Sequence, residues 1–194
     1  MKHGEMADTI RSTAHKLMVD RGYAAFSYAD IAAAIGIRNA SIHYHYPTKA
    51  ALAVAVLTKH RERLTTALEL LDDEIKDPVM RIGGYVGHWE LCINNHTMTF
   101  CVAALLGAEM PSLPEEVQVE VKRHFALLSQ WIEKTLKAGE KAGLMRLQEK
   151  PSTEAEILMA VVHGAMLLAR ATQQDSVYKT ATEGALRRII KKAN

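Results

Sequence analysis

Residues 26–52, FSYADIAAAIGIRNASIHYHYPTKAAL, constrain this chain more than any other stretch of it. Ser27 followed three residues later by Asp30 is a capping box, in which the hydroxyl caps a helix start and the acid reaches back to the cap's own N–H. A short helix follows with Ile31, Ala32 and Ile35 inward, and Gly36 ends it, because glycine takes left-handed backbone without steric cost. Ile37 anchors a tight turn. The spacing then predicts a second short helix over about residues 39–46, stopped by Pro47. Two short helices joined by a glycine turn make a helix-turn-helix. Ala32, Ala33 and Ala34 are small enough to let those helices cross closely. The second helix exposes Arg38, Asn39, Ser41, Tyr44 and His45, hydrogen-bonding groups short enough to reach base edges and phosphates in a major groove. Lys49 falls in the first turn of the next helix, where free N–H groups also favour a phosphate. The same spacing also fits a plain helical hairpin whose glycine only turns the chain.

The rest of the chain reads as helix throughout, with no alternating β-branched run bounded by turns. The first helix spans about residues 5–20, with Ile10, Ala14, Leu17 and Met18 as its buried stripe and Gly22 as its cap. After Pro47, Thr48 caps a long fourth helix to about residue 71. Asp77 and Pro78 open a fifth helix ending near Asn94 and Asn95. A sixth is expected from about residue 99 to 109, before Pro111 and Pro114. The seventh runs from there to about residue 142, capped by Gly143. Ser152 or Thr153 opens an eighth to about Thr172, and a ninth covers about residues 176–192. No repeat and no low-complexity linker interrupts this order.

At 194 residues the chain can bury a core without disulfide or metal staples. Its 48% hydrophobic and 24% charged residues exclude a wholly disordered chain, collagen and a disulfide scaffold. Two cysteines, Cys92 and Cys101, leave room for one internal bridge and imply a reducing compartment. The opening MKHGEMADTI has no apolar core of a leader, so a cytoplasmic protein is expected. The longest apolar run, residues 157–169, is shorter than the roughly 20 residues of a membrane span, and reads as a buried helix. Residues 1–64 hold nine Lys/Arg against five Asp/Glu, whereas residues 65–194 hold fifteen against seventeen. A basic module on a slightly acidic body points to a polyanion at one end.

The aromatic cluster gives the first module a more specific reading. Gly36-Ile37-Arg38-Asn39-Ala40-Ser41-Ile42-His43-Tyr44-His45-Tyr46-Pro47-Thr48-Lys49-Ala50-Ala51-Leu52 resembles the G-V-S-K-G-T-L-Y-H-Y-F-P-S-K-E-A-L-like string of the TetR family of transcriptional repressors. The resemblance covers residues 5–60. It implies an all-α fold, with a three-helix DNA-binding module over residues 1–47 joined rigidly to an effector-binding and dimerisation domain over residues 48–194. It places Ser27, Ser41, His43, Tyr44 and Lys49 at phosphates and Arg38, Asn39 and Ala40 facing bases. This chain departs from the family at His43, usually aromatic, and at Tyr44 and His45, which invert the usual order. Arg38 replaces a common Ser/Thr cap, and Ala29 stands where many members carry Arg. His43 and His45, two apart on a helix, point to different faces and suit DNA contact or packing better than one metal ion.

The body should bind a ligand and a second copy of the chain. In the eighth helix Ile157, Val161, Gly164, Leu168 and Ala171 line one face, and Leu158, Val162, Ala165 and Ala169 another. A helix apolar on two faces must be covered on two sides. The small Gly164, Ala165 and Ala169 admit a close helix from a partner, as do Ala181, Gly184, Ala185 and Ile189 in the ninth. The alternative is a central helix of a monomer. Soft or polar groups among apolar neighbours, namely His88, Trp89, Cys92, Asn95, Met98, Cys101, Met110, Trp131 and His163, are candidates for an effector pocket or for plain core.

Residues 100–117, FCVAALLGAEMPSLPEEV, resemble the C-L-x-x-x-L-A-A-E-x-x-x-L-P-E-x-V-like stretch of a TetR subgroup that includes repressors responding to reactive electrophiles. Cys101 falls on that subgroup's cysteine. Its place near a helix start should lower its thiol pKa, against the reading of a small buried hydrophobe. His88, Cys92 and His96 share one helical stripe. Adjacent members can chelate a soft divalent ion, but the ends lie about 12 Å apart along a helix. The overall expectation is a homodimeric repressor on a double-stranded, near-palindromic operator, released by a small molecule or by an oxidant or electrophile at Cys101. A metal-responsive regulator using His88 and Cys92 is the alternative. No nucleophile–base–orienter triad, paired carboxylates or phosphate loop supports an enzyme, and no cofactor or membrane is called for.

Overall fold

The computed structural model describes residues 3–97 and 100–191, whose regular elements are helices joined by short loops. The helices are α1 (His3–Arg21), α2 (Tyr28–Ile35), α3 (Asn39–His45), α4 (Lys49–Glu74), α5 (Pro78–Asn94), α6 (Val102–Ala108), α7 (Glu115–Lys141), α8 (Pro151–Thr172) and α9 (Ser176–Ile189). A single turn of 3-10 helix, Met110–Ser112, joins α6 to α7. One isolated antiparallel bridge pairs Met145 with Ile190. Met98, the expected start of the sixth helix at residue 99 and the expected end of the ninth at residue 192 lie outside the described residues.

Most boundaries follow from caps. Ser27 Oγ accepts from Asp30 N while Asp30 accepts from Ser27 N at 2.7 Å, so the capping box is complete. Thr48 Oγ1 accepts from Ala51 N at 3.0 Å, and Asp77 Oδ1 accepts from Val79 N at 2.7 Å. Two starts differ from expectation. α6 begins only at Val102, because Cys101 takes extended backbone, and Pro111 gives the 3-10 turn its first residues. α8 is opened by Pro151 with no side-chain cap at Lys150. The buried Glu154 carboxylate instead accepts from the backbone N–H groups of Gln148 and Glu149, at 2.9 and 3.1 Å.

The chain packs as two compact units: Met1–Arg63 with Cys101–Phe125, and Leu64–Phe100 with Ala126–Asn194. The expected boundary at residues 47/48 thus falls inside the first unit, since the start of α4 shares the core of α1–α3. That core holds Ile10, Ala14, Met18, Phe26, Ile31, Ile42, Leu52 and Leu57, all nearly or fully buried. In the second unit α8 packs along α9, and the fully buried Tyr178 donates its hydroxyl to Val86 O at 3.0 Å.

The apolar run of α8 requires correction. It lies within a helix of 22 residues, long and apolar enough to cross a membrane by length and composition alone. Only a third of it is buried. Leu158, Val162, Ala165, Met166 and Ala169 face the chain's own core, whereas Leu167 and Leu168 are exposed and Ile157, Val161 and Gly164 half-covered.

Candidate nucleic-acid interface and sensing region

Gly36 adopts φ 70°, the left-handed conformation that ends α2, and the N–H groups of Gly36 and Ile37 both return to Ala32 O. α3 is therefore set beside α2 by a turn that a residue with a Cβ adopts only under strain. Ile42 is fully buried and pins α3 to the core. Its other faces are open: Arg38, Asn39, Ala40, Ser41 and His43 are exposed, and Tyr44 is 75% exposed. The N-cap residue Arg38 makes no side-chain hydrogen bond to the helix start, in line with its departure from the Ser/Thr pattern.

Three of the expected phosphate contacts have work inside the module. Ser27 donates its hydroxyl to Asp30 Oδ2 at 2.6 Å. That hydroxyl, the Ser27 N–H and the nearby Arg21 guanidinium hold the Asp30 carboxyl below the usual carboxylate range. His43 places Nδ1 3.3 Å from Pro47 O and its ring 4.7 Å from that of Tyr28. Lys49 departs furthest from expectation. Its ammonium donates to Phe26 O and Ala24 O and sits over the Tyr23 and Phe26 rings, 4.7 and 4.4 Å from their centroids. Burial lowers its pKa, opposed by Glu109 and Asp30. Two of its three donors are thus spent on the loop between α1 and α2, because that loop closes over the first turn of α4.

Sequence reasoning missed the groups that brace this loop from the other side. The Glu109 carboxylate, just past α6, accepts from Tyr23 N at 2.9 Å and Ala24 N at 3.2 Å. Gly22, at φ 82°, is what lets it approach: a Cβ there would stand 2.3 Å from Glu109 Oε1. Tyr28 donates to Tyr46 O at 2.7 Å, and Tyr46 to Ala7 O at 3.2 Å, tying α2, α3 and α1 together. Burial raises the Tyr28 phenol to about 12, so it remains a donor across the physiological range.

Cys101 sits at the other end of α6 and is fully buried. Burial pushes its thiol up to about 11, overriding the Ala104 and Ala103 N–H groups that pull the other way. The expectation of a lowered pKa at a helix start is corrected by this desolvation. Its neighbours are two histidines that spacing did not bring forward. Cys101 Sγ lies 3.6 Å from His60 Nε2 on α4 and 3.7 Å from His124 Nε2 on α7. The two imidazoles stack, 5.0 Å between centroids. On the same face of α7, Glu120 is buried against Arg61, at 3.0 Å, and Arg123. Burial alone would raise its pKa, but the two guanidinium groups bring it below its usual value.

The remaining sensing candidates belong to the second unit. His88 is exposed, with Nε2 3.6 Å from the buried Cys92 Sγ, so that pair does meet. His96 lies beyond the end of α5 at φ 52°. Trp89 is buried, with its ring 5.8 Å from that of His88. Trp131 is buried and donates Nε1–H to Asp72 at 3.2 Å. His163 contacts Met159 O at 2.8 Å through Nδ1, and burial lowers its pKa. Of the expected dimer residues, Ile157, Val161, Gly164, Leu168 and Ala185 keep part of their surface uncovered. Ala165 does not: it is buried within its own chain, because it falls on the face of α8 turned to the core.

Comparison with known proteins covers both parts of the chain. Residues 10–56 match the model of the bacterial regulatory proteins of the tetR family, and residues 78–185 match the tetracyclin repressor-like C-terminal domain. A TetR-family transcriptional regulator from Agrobacterium tumefaciens is 41% identical, with a TM-score of 0.96 over 98% of this chain and 100% of that one. The HTH-type transcriptional repressor DhaR of Mycobacterium sp. (strain GP1) is 27% identical over 156 residues, 78% of this chain and 76% of that protein. The HTH-type transcriptional repressor NemR of Escherichia coli (strain K12) is 23% identical over 183 residues, 87% of each protein.

Proposed function

This chain belongs to the TetR family, which makes it a DNA-binding transcriptional regulator and not an enzyme, and we propose that it acts in the cytoplasm as a homodimeric repressor whose α3 reads an operator and whose body releases it on a signal. The observation that carries this reading is α3 itself: a helix pinned by one buried Ile42 and exposing Arg38, Asn39, Ser41 and Tyr44 around it. Residues 1–47 form the reading module, completed by the start of α4. Arg38, Asn39 and Ala40 face bases. Ser41 and Tyr44 reach phosphates, whereas Ser27, His43 and Lys49 chiefly hold the surface that does so.

Two copies pair through the uncovered face of α8, with Ile157, Val161, Gly164 and Leu168, together with Ala185 on α9. A two-fold dimer requires a near-palindromic operator whose half-sites lie about 34–36 Å apart, or a multiple of it. A small molecule held near His88, Trp89, Cys92, Trp131 and His163 is the favoured release signal, because Cys101 is fully buried and a buried thiol reacts slowly. Modification of Cys101 by an oxidant or electrophile requires that thiol to be uncovered first.

A gel shift with DNA from the protein's own upstream region tests the first half: a saturable, sequence-dependent complex of two chains is expected, and absence of any complex overturns the reading. Repeating it with N-ethylmaleimide separates the two release routes. If Cys101→Ser stays bound while the parent and Cys92→Ser dissociate, modification of Cys101 is the switch. Equal behaviour of all three leaves the reversible ligand.

A further inference from the structure

Cys101, His60 and His124 come from three places in the chain, the histidines 41 and 23 residues from the cysteine, yet Sγ and one nitrogen of each imidazole lie within 4.8 Å of one another. We propose that these three side chains form a binding site for a soft divalent cation of the zinc type, held by one thiolate and two imidazoles. The distances fit that chemistry. A tetrahedral zinc ion has sulfur at about 2.3 Å and imidazole nitrogen at about 2.0–2.1 Å, which places each sulfur–nitrogen edge near 3.5–3.6 Å. The two such edges here measure 3.6 and 3.7 Å. The nitrogen–nitrogen edge lies within 4.8 Å and must shorten to about 3.3–3.4 Å, which requires the two imidazoles to rotate out of their stacked arrangement so that both lone pairs meet the ion.

The donor set selects the ion. Thiolate and imidazole suit zinc and its borderline-soft neighbours, whereas calcium and magnesium demand oxygen ligands. Glu120, the nearest carboxylate along α7, is engaged by Arg61 and Arg123. On binding, Cys101 gives its proton to solvent and each imidazole coordinates through neutral Nε2, keeping its proton on Nδ1. Three protein ligands leave a fourth position for water or another ligand, as in open zinc sites. His60 is only half-buried and marks the side from which the ion enters. Its ring is 6.0 Å from that of His15 on α1, a further imidazole beside the site.

The site is placed to act on the DNA module. It joins α4, the residue before α6 and α7 at a single point, and Glu109 at the far end of α6 grips the loop after α1. Occupancy fixes the start of the same short helix that braces α1 and α2. This consequence, unlike the site itself, rests on the repressor reading.

The test uses the full-length protein, stripped with a chelator and titrated with Co(II), then Zn(II). One equivalent per chain is expected, with a thiolate-to-cobalt charge-transfer band in the near ultraviolet and tetrahedral ligand-field bands in the visible, all bleached by zinc. Cys101→Ser should lose the charge-transfer band. His60→Gln and His124→Gln should each weaken binding by at least ~10-fold, since even an outer-sphere partner is commonly worth that much. His88→Gln and Cys92→Ser should bind like the parent. Zinc should also protect Cys101 from N-ethylmaleimide. Circular dichroism and melting screen out misfolded variants, and the half-exposed His60→Gln keeps the test open if Cys101→Ser does not fold. Cobalt binding without a thiolate band, parent-like affinity of folded His60→Gln, or loss through His88 or Cys92 would overturn the site. The metal titration needs no DNA, so a failed gel shift overturns the repressor reading and leaves the site standing.

Discussion

Lys49 separates two roles that a basic residue near DNA can play. A lysine that neutralises a phosphate changes the salt dependence of binding by about one counterion. A lysine whose ammonium caps loop carbonyls changes stability instead. With two donors committed to Ala24 O and Phe26 O, Lys49→Ala should lower unfolding stability by about 1–3 kcal/mol. Operator affinity should fall for all sequences alike, with the salt slope unchanged. Chemical denaturation and filter binding over a salt series measure both, and a slope falling by about one returns Lys49 to a phosphate. Asn39→Ala should leave stability alone, because Asn39 is exposed, and relax base preference by about 1–3 kcal/mol at one position per half-site. A panel of operators mutated one base pair at a time reads that out. Loss spread evenly over all positions would place Asn39 on the backbone.

α8 carries the argument for assembly because its two faces behave differently. One face is closed by the chain itself. The other leaves Leu168 53% exposed, and a Cβ at Gly164 would meet nothing within 4 Å. Gly164→Leu therefore has room in the single chain and meets its obstacle only in a partner. It should keep the helical spectrum and melting behaviour of a folded chain while sedimenting as a 21.5 kDa monomer, and the parent should sediment at about twice that mass. A dimeric Gly164→Leu protein moves the seam elsewhere. The same helix carries a pH dependence. Burial depresses the pKa of His163, so the folded state resists its protonation. Its contribution to stability is complete above the unfolded value of about 6.5 and is lost as pH falls from there towards the folded pKa. Stability of His163→Gln should vary less than that of the parent across this window in urea titrations at successive pH values. Parallel curves would mean that His163 is solvated in the folded protein.

Across the whole molecule, what was legible in the sequence is what is local. The capping box at Ser27 and Asp30, the turn at Gly36 and the start at Asp77 need only three or four neighbouring residues, and each forms as its spacing dictates. The helix-turn-helix and its family follow from those pieces. The boundary at residues 47/48 did not appear as a packing boundary, because α4 begins as part of the first module's core. Distant pairings were invisible. His60 and His124 look like ordinary helix residues until α4 and α7 converge on Cys101, and nothing near Glu109 announces that Gly22 will lie against it. Gly164 and Ala165, both small and adjacent in sequence, fall on different faces of α8, and only the tertiary packing decides which is covered. For Cys101, position at a helix start and burial act in opposite directions, and the depth of the site decides between them.

The uncapped beginning of α3 has a kinetic counterpart. With no side chain at Arg38 to hold its first amides, α3 has a weaker-tethered start than the capped α2, and brief openings there cost little beyond one turn. Amide protons of residues 39 and 40 should exchange with deuterium faster than that of Asp30 at the capped start of α2, by mass spectrometry or NMR of the free protein. On the operator they should slow the most. Arg38→Ser, which restores a cap, should slow exchange of these amides in the free protein, whereas operator binding should weaken with the loss of the contact proposed for Arg38.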